Sequence, residues 1–170
     1  TRMVTFGSST VLARGSAFTG AVDSDTFTMS FLMRPANDGT TRIILADGGT
    51  NTILNLTPGN QLRLYIEDAH GASVGVDITT TDTFLAGNLY HVAIEVDLSA
   101  GVANIYRAVN GGAIAATTLT TGTAPNLQAG GNISWTDPVW YVGFTSSYYT
   151  GDLGTYYLNI GVRIDLTNSA

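Results

Sequence analysis

Residues 88–112 read NLYHVAIEVDLSAGVANIYRAVNGG, and this stretch decides the fold class. From 90 to 98 the chain alternates strictly. Val92, Ile94, Val96 and Leu98 fall on one face, and His91, Ala93, Glu95 and Asp97 on the other. A period of two is the mark of a strand with one buried face, because successive side chains point to opposite sides of the pleat. Ser99-Ala100-Gly101 interrupts the pattern with small turn residues. A second alternation follows, with Val102, Asn104 and Tyr106 opposed to Ala103 and Ile105. Asn110-Gly111 then supplies the dipeptide that most readily takes positive φ at both central positions of a type I′ turn. Two long antiparallel strands are therefore expected, with a further hairpin beginning at Asn110.

The same punctuation extends in both directions. Upstream, Phe27, Met29, Phe31 and Met33 alternate with Thr28 and Ser30 until Pro35. Residues 42–46, 52–56 and 61–67 read as strands, the last with Leu62, Leu64 and Ile66 inward and Arg63, Tyr65 and Glu67 outward. Thr57-Pro58-Gly59-Asn60 suits a type II turn with Gly59 at the positive-φ position. His70-Gly71 marks another turn, and residues 79–83 read as a polar threonine linker. Downstream, residues 113–131 are rich in Ala, Thr and Gly and promise only weak strand and loop. Residues 139–144 (VWYVGF) read as an apolar, central strand, residues 148–152 as a loop, and residues 155–166 as a final strand. The expected core contains Phe27, Phe31, Leu64, Ile66, Val92, Ile94, Val96 and Val142.

Composition narrows the class further. The 170 residues suffice for one domain with a sizeable core, and 1–170 is read as one β-sandwich. Twenty glycines and abundant threonine favour strands and turns over helices. The net charge is −6, and the seven cations are all arginines scattered singly. A chain with no basic patch lacks the counterion release that drives nucleic-acid affinity, so no nucleic-acid partner is expected. There is no cysteine, hence no disulfide and no thiolate metal site. No run of apolar residues approaches membrane-spanning length, and no membrane partner is expected. The first thirty residues lack the layout of a secretory signal, which leads us to expect a complete polypeptide made in a cytoplasm.

Several segments resemble the laminin-G-like, concanavalin A-like jelly rolls. They are Tyr90-His91-Val92-Ala93-Ile94 with Val96-Asp97, Ile105-Tyr106 with Asn110-Gly111, the early strand at 26–35, and Val142-Gly143 followed by Tyr149 and Gly151-Asp152-Leu153. The family more often has Trp where Tyr90 stands. Each motif is short; their order along most of the chain carries the resemblance. It implies an all-β, concanavalin A-like jelly-roll sandwich of two antiparallel sheets, with the terminal segments in neighbouring strands. The opening Leu12-Ala13-Arg14-Gly15 with Thr19-Gly20-Ala21, and the closing Ile164-Asp165-Leu166-Thr167, are similar to laminin-G-like proteins encoded among bacteriophage structural genes.

Candidate chemistry is sparse. Glu95 and Asp97 share a strand face, as in laminarinase-type jelly rolls, but Ser99 and Gly101 occupy the next same-face positions. Retaining glycoside hydrolysis needs two carboxyl groups about 5–5.5 Å apart; the second glutamate is missing, and the pair reads as a solvated strand face. No enzyme is expected. His70 and His91 lie in separate segments without clustered acids, so zinc is not expected. Calcium is the one cofactor for which loop carboxylates exist (Asp23, Asp25, Asp137 and Asp152), although none has a recognisable calcium-loop spacing. Aromatic residues crowd the last quarter. Trp135, Asp137, Tyr148, Tyr149 and Asp152 could bind a glycan, with rings stacking on sugars; the favoured reading is that half of the crowded aromatics fill the sandwich and the others line a protein contact. The expected role is a non-enzymatic virion structural protein of a phage, a capsid decoration or head-fibre subunit that is multimeric and contacts other virion proteins. The alternative is a carbohydrate-binding, lectin-like adhesin or tail receptor-binding module.

Overall fold

The computed structural model describes residues 2–7, 11–36, 39–49, 52–67, 74–121, 132–142, 147–162 and 164. The described chain is all strand and turn. In order, the strands are β1 (Met3–Phe6), β2 (Leu12–Arg14), β3 (Thr26–Pro35), β4 (Arg42–Asp47), β5 (Thr52–Leu56), β6 (Gln61–Glu67) and β7 (Val74–Thr83). They continue with β8 (Tyr90–Asp97), β9 (Val102–Val109), β10 (Ala115–Ala116), β11 (Leu119–Thr121), β12 (Trp140–Val142) and β13 (Gly151–Ile160). They form two antiparallel sheets, a six-stranded β1-β13-β3-β8-β9-β10 and a seven-stranded β11-β7-β6-β5-β4-β12-β2. This is the jelly-roll sandwich expected. The pairing of β1 with β13, Met3 opposite Gly154 through Phe6 opposite Gly151, puts the terminal segments side by side.

The core comes from the inward face of each alternation. Phe27, Met29, Phe31 and Met33 of β3 and Val92, Ile94 and Val96 of β8 meet Leu54, Leu56, Leu62, Leu64 and Ile66 of the opposite sheet. Register aligns the two central strands residue by residue, with Phe27 opposite Val96, Met29 opposite Ile94 and Phe31 opposite Val92. A one-residue slip would turn every one of these side chains outward, so burial itself locks the register. Val142 departs from expectation. It lies on β12 next to the edge strand β2, where the sheet runs out of cover, and is only half-buried. For the same reason residues 139–144 do not form a central strand; their described part is β12, second from the edge.

Three local readings are corrected. At 57–60 the positive φ falls on Asn60 (59°) rather than on Gly59, and the Asn60 amide donates to the Thr57 carbonyl. This is a three-residue hairpin loop with a left-handed third residue, a conformation asparagine tolerates. Residues 79–83 are not a linker but the end of β7. They pair with β6 and β11, and the Thr80 hydroxyl accepts from the Leu62 amide where the β6–β7 ladder shifts. Threonine is β-branched, so a polar run of it suits a strand as well as a loop. The final strand begins at Gly151 and ends at Ile160, with an irregularity between Gly154 and Tyr157 where Thr155 takes φ 47°. Gly151 itself has φ 120°, and a Cβ there would run into the Arg34 carbonyl, so only glycine fits this close approach.

The hairpin predicted at Asn110-Gly111 is present, with φ 51° and 79° and the Gly112 amide donating to the Val109 carbonyl. Asn110 also holds a neighbouring loop. Its Oδ1 accepts from the Leu89 amide (2.9 Å) and its Nδ2 donates to Asn88 Oδ1 (2.9 Å).

Candidate ligand-binding site

The five residues singled out from sequence do not come together. Trp135 packs near the start of β3, with its ring edge-on to Phe27 at 5.0 Å. Asp152 sits at the other end of the same strand, bound to Arg34 (3.1 Å). Phe27 and Arg34 are seven residues apart along β3, roughly 23 Å in an extended strand. Burial removes two of the five outright. Trp135 is fully buried, stacked on Trp140 at 5.4 Å and flanked by Phe18 and Phe27. Neither indole N–H finds an acceptor among the described residues. Tyr149 is fully buried edge-on to Phe6 at 6.0 Å, and its hydroxyl donates to the Asp152 carbonyl. Neither ring can stack on a sugar.

The remaining three are partly exposed and mostly engaged. Asp137 accepts from the Val139 amide (3.0 Å), which shapes the entry to β12. Asp152 accepts from the Thr5 hydroxyl (2.7 Å) besides Arg34, tying β1, β13 and β3 together. Tyr148 is half-buried. Among the described residues no three His, Cys, Asp or Glu side chains gather as metal ligands would. Asp23, one of the candidate calcium carboxylates, accepts instead from the Thr136 hydroxyl (3.1 Å).

Burial pushes the Tyr149 hydroxyl far above the ordinary tyrosine value of 10.0. Above that value the unfolded chain loses this proton while the folded chain keeps it, so stability falls as pH rises. Unfolding midpoints in denaturant should therefore decline above about pH 10. Tyr149→Phe should make that decline shallower; an unchanged slope would refute the assignment.

Glu95 differs from the solvated face read from sequence, whereas Asp97 keeps part of its exposure. Glu95 is completely buried, and its Oε1 accepts from Asn104 Nδ2 (2.8 Å) and the Tyr106 hydroxyl (2.7 Å). Its register neighbour Thr28 is buried as well, donating to the Val162 carbonyl and accepting from the Ile164 amide. Residues following β13 thus pass over the row to which Glu95 belongs. Asp97 accepts from the Ser99 hydroxyl (2.7 Å) and the Ala100 amide (2.8 Å), closing the turn between β8 and β9.

What the sheet does assemble is a platform on the outer face of β4–β7. Register sets Ile43, Asn55, Arg63 and Thr79 in one row and Ile53, Tyr65 and Asp77 in the next. Four adjacent strands make the platform roughly 14 Å wide. A cleft of about 530 Å³ lies on it, lined by Ile43, Ile53, Asn55, Pro58, Arg63 and Tyr65 among others. Arg63 donates twice to Asp77, Nε to Oδ1 at 2.8 Å and Nη2 to Oδ2 at 2.9 Å, and its guanidinium lies 5.1 Å over the Tyr65 ring. The Tyr65 hydroxyl donates to Glu67 Oε1 (2.8 Å). These two bonds raise both groups above their ordinary values: the hydrogen bond to Asp77 holds Arg63 protonated, and the hydrogen bond to Glu67 keeps Tyr65 neutral. The result is a fixed aromatic ring beside an amide, a guanidinium and two aliphatic side chains. Ring faces of this kind pack against the C–H faces of sugars while the polar groups take hydroxyls. The sequence already put Arg63, Tyr65 and Glu67 outward. The missing signal was the partner across the sheet, since Asp77 lies fourteen residues away.

The family model described as the concanavalin A-like lectin/glucanases superfamily matches residues 6–155. No curated protein matches the chain significantly. Among solved structures, the heptameric SAP-like pentraxin of Limulus polyphemus superposes with TM-score 0.60 at 14% identity, over 92% of this chain and 74% of that one. The mouse laminin α1 chain, domains LG4-5, gives TM-score 0.57 at 14% identity, over 94% of this chain and 42% of that one. The CBM40 of the Ruminococcus gnavus IT-sialidase, bound to α2,3 sialyllactose, gives 0.55 at 10% identity, over 94% of this chain and 92% of that one. At such identities the likeness is one of fold.

Proposed function

Because the chain belongs to the concanavalin A-like lectin/glucanase superfamily, we propose that it is a non-enzymatic glycan-binding module that uses the β4–β7 platform. The observation that carries this reading is the Tyr65 ring, held by Arg63 and Glu67 over an open cleft. The carbohydrate-binding character of a related fold, the CBM40 with its sialyllactose, supports it. Catalysis is not part of the reading. Glu95 is locked by Tyr106 and Asn104, and Asp97 caps a turn. Tyr65→Ala should weaken binding about tenfold in a glycan array or titration while leaving the fold intact, since an aromatic contact is worth about 0.5–1.5 kcal/mol. Undiminished binding by the folded variant would remove the platform from consideration.

A second reading, that of a phage virion subunit, is favoured by a different place. β1 and β2 close the same side of the two sheets as edge strands, and they leave Val4 (52%) and Leu12 (50%) exposed beside Tyr156. Apolar residues at open sheet edges suit packing against a shell or further copies. The opening and closing motifs similar to phage-encoded laminin-G-like proteins point the same way, with synthesis in a host cytoplasm and residence in the virion. An adhesin on a phage tail would satisfy both readings. Oligomeric state, together with mass spectrometry of purified particles, separates them: a monomer absent from particles that binds glycans excludes the virion role.

A further inference from the structure

The glycan reading leaves open which sugars the platform takes, and its charges bear on that. Arg63 is the only cation among the described residues lining the cleft. Its Nε and Nη2 donors on the Asp77 side are engaged in a two-point bond, at 2.8 and 2.9 Å, by a carboxylate that is itself buried. A fork–fork pair of this geometry satisfies the carboxylate and neutralises the guanidinium. The next acid, Glu67, is hydrogen-bonded to Tyr65 on the same strand and adds a negative charge. The one arginine of the cleft is therefore already paired with Asp77, and Glu67 adds a further carboxylate beside Tyr65, within a chain whose net charge is −6.

From this we infer that the platform selects neutral saccharides and excludes sialylated, uronic and sulfated ones. An acidic sugar would have to displace Asp77 from Arg63 or bring its own charge against Asp77 and Glu67. A neutral pyranose meets neither cost. It can lie against Tyr65 and Ile53 and accept a hydrogen bond from the outward edge of Arg63 on its hydroxyl oxygens. This inference rests on the glycan reading and adds its substrate class.

The test is a binding panel for the intact chain. It contains neutral oligosaccharides of glucose, galactose, mannose and arabinose against sialylated, uronic-acid and sulfated ones. The expected result is binding confined to neutral members, with affinity nearly constant between about 0.1 M and about 1 M salt, where screening shortens from about 10 Å to about 3 Å. Asp77→Asn keeps the side-chain shape but frees the Arg63 charge, and should raise affinity for acidic members about tenfold, the scale of one charge-assisted hydrogen bond. Acidic sugars bound by the unaltered chain as tightly as neutral ones, or a steep loss of affinity with salt, would overturn the inference and leave the glycan reading standing. A folded Asp77→Asn variant with no gain would also overturn it. Failure of every sugar on the panel would bring down the glycan reading and this inference together. The wild-type panel and salt series decide the matter even if the variant does not fold.

Discussion

Trp135→Ala should cost about 3–5 kcal/mol of folding stability, the range for deleting a large aromatic from a packed core. Trp135 is completely buried and meets three other rings: Trp140 stacked at 5.4 Å, Phe27 edge-on at 5.0 Å and Phe18 at 6.4 Å. Removing it opens a cavity where two sheets and the loop before β3 converge, and Phe18 and Trp140 cannot both move in to fill it. For a chain of 170 residues such a loss lowers the melting temperature by roughly 6–20 °C. Trp135→Phe keeps an aromatic ring and should cost well under half as much. Thermal and denaturant unfolding followed by circular dichroism measure both. A loss below about 1 kcal/mol for the alanine variant, accompanied by lost glycan binding, would return Trp135 to the role of a sugar platform.

The second large effect belongs to Glu95. Glu95→Ala should destabilise the fold by about 3 kcal/mol, because it removes two hydrogen bonds and leaves the buried Tyr106 hydroxyl without its acceptor, a loss of about 1–3 kcal/mol for such a stranded group alone. The donors are the Tyr106 hydroxyl and the Asn104 amide, two residues apart on the adjacent strand β9. Glu95→Gln retains an acceptor oxygen at the same reach and should cost distinctly less. The alanine variant combined with Tyr106→Phe should show non-additive loss, since each removes the same bond. A screen of polysaccharides for released reducing sugar separates this structural role from catalysis. Turnover by the unaltered chain that Glu95→Gln abolishes, with stability unchanged, would make Glu95 catalytic and the non-enzymatic reading wrong.

Much of the fold was legible in the alternations. A period of two is a local property, so the facing of Val92, Ile94 and Val96, or of Leu62, Leu64 and Ile66, follows from neighbours along the chain. Every one of these side chains lies in the core. The Asn110-Gly111 turn was legible for the same reason, since positive φ is a preference of those residues themselves. The segment at 57–60 shows the limit of that logic. Gly59 and Asn60 both tolerate a left-handed conformation, and the closure of β5 on β6 settled the choice on Asn60.

The candidate site lay beyond local reading. Amphipathic aromatics in a row, such as Trp135, Trp140 and Tyr149, look alike whether they line a cleft or fill a sandwich, because the same ring serves both ends. Only the meeting of the two sheets decided that these three are buried. Glu95 looked solvated because its strand face is polar. Contact with Tyr106 on the next strand, and residues after β13 bonded to Thr28, buried the middle of that face at Glu95, while His91 stays exposed. The platform of Ile43, Asn55, Arg63, Tyr65 and Asp77 is assembled from four strands by register, across separations no sequence window spans. By itself, then, the sequence determined which residues turn inward, through the two-residue period of an extended backbone. The tertiary structure alone decided which outward faces are covered and which strands stand side by side, because both depend on contacts between segments distant along the chain.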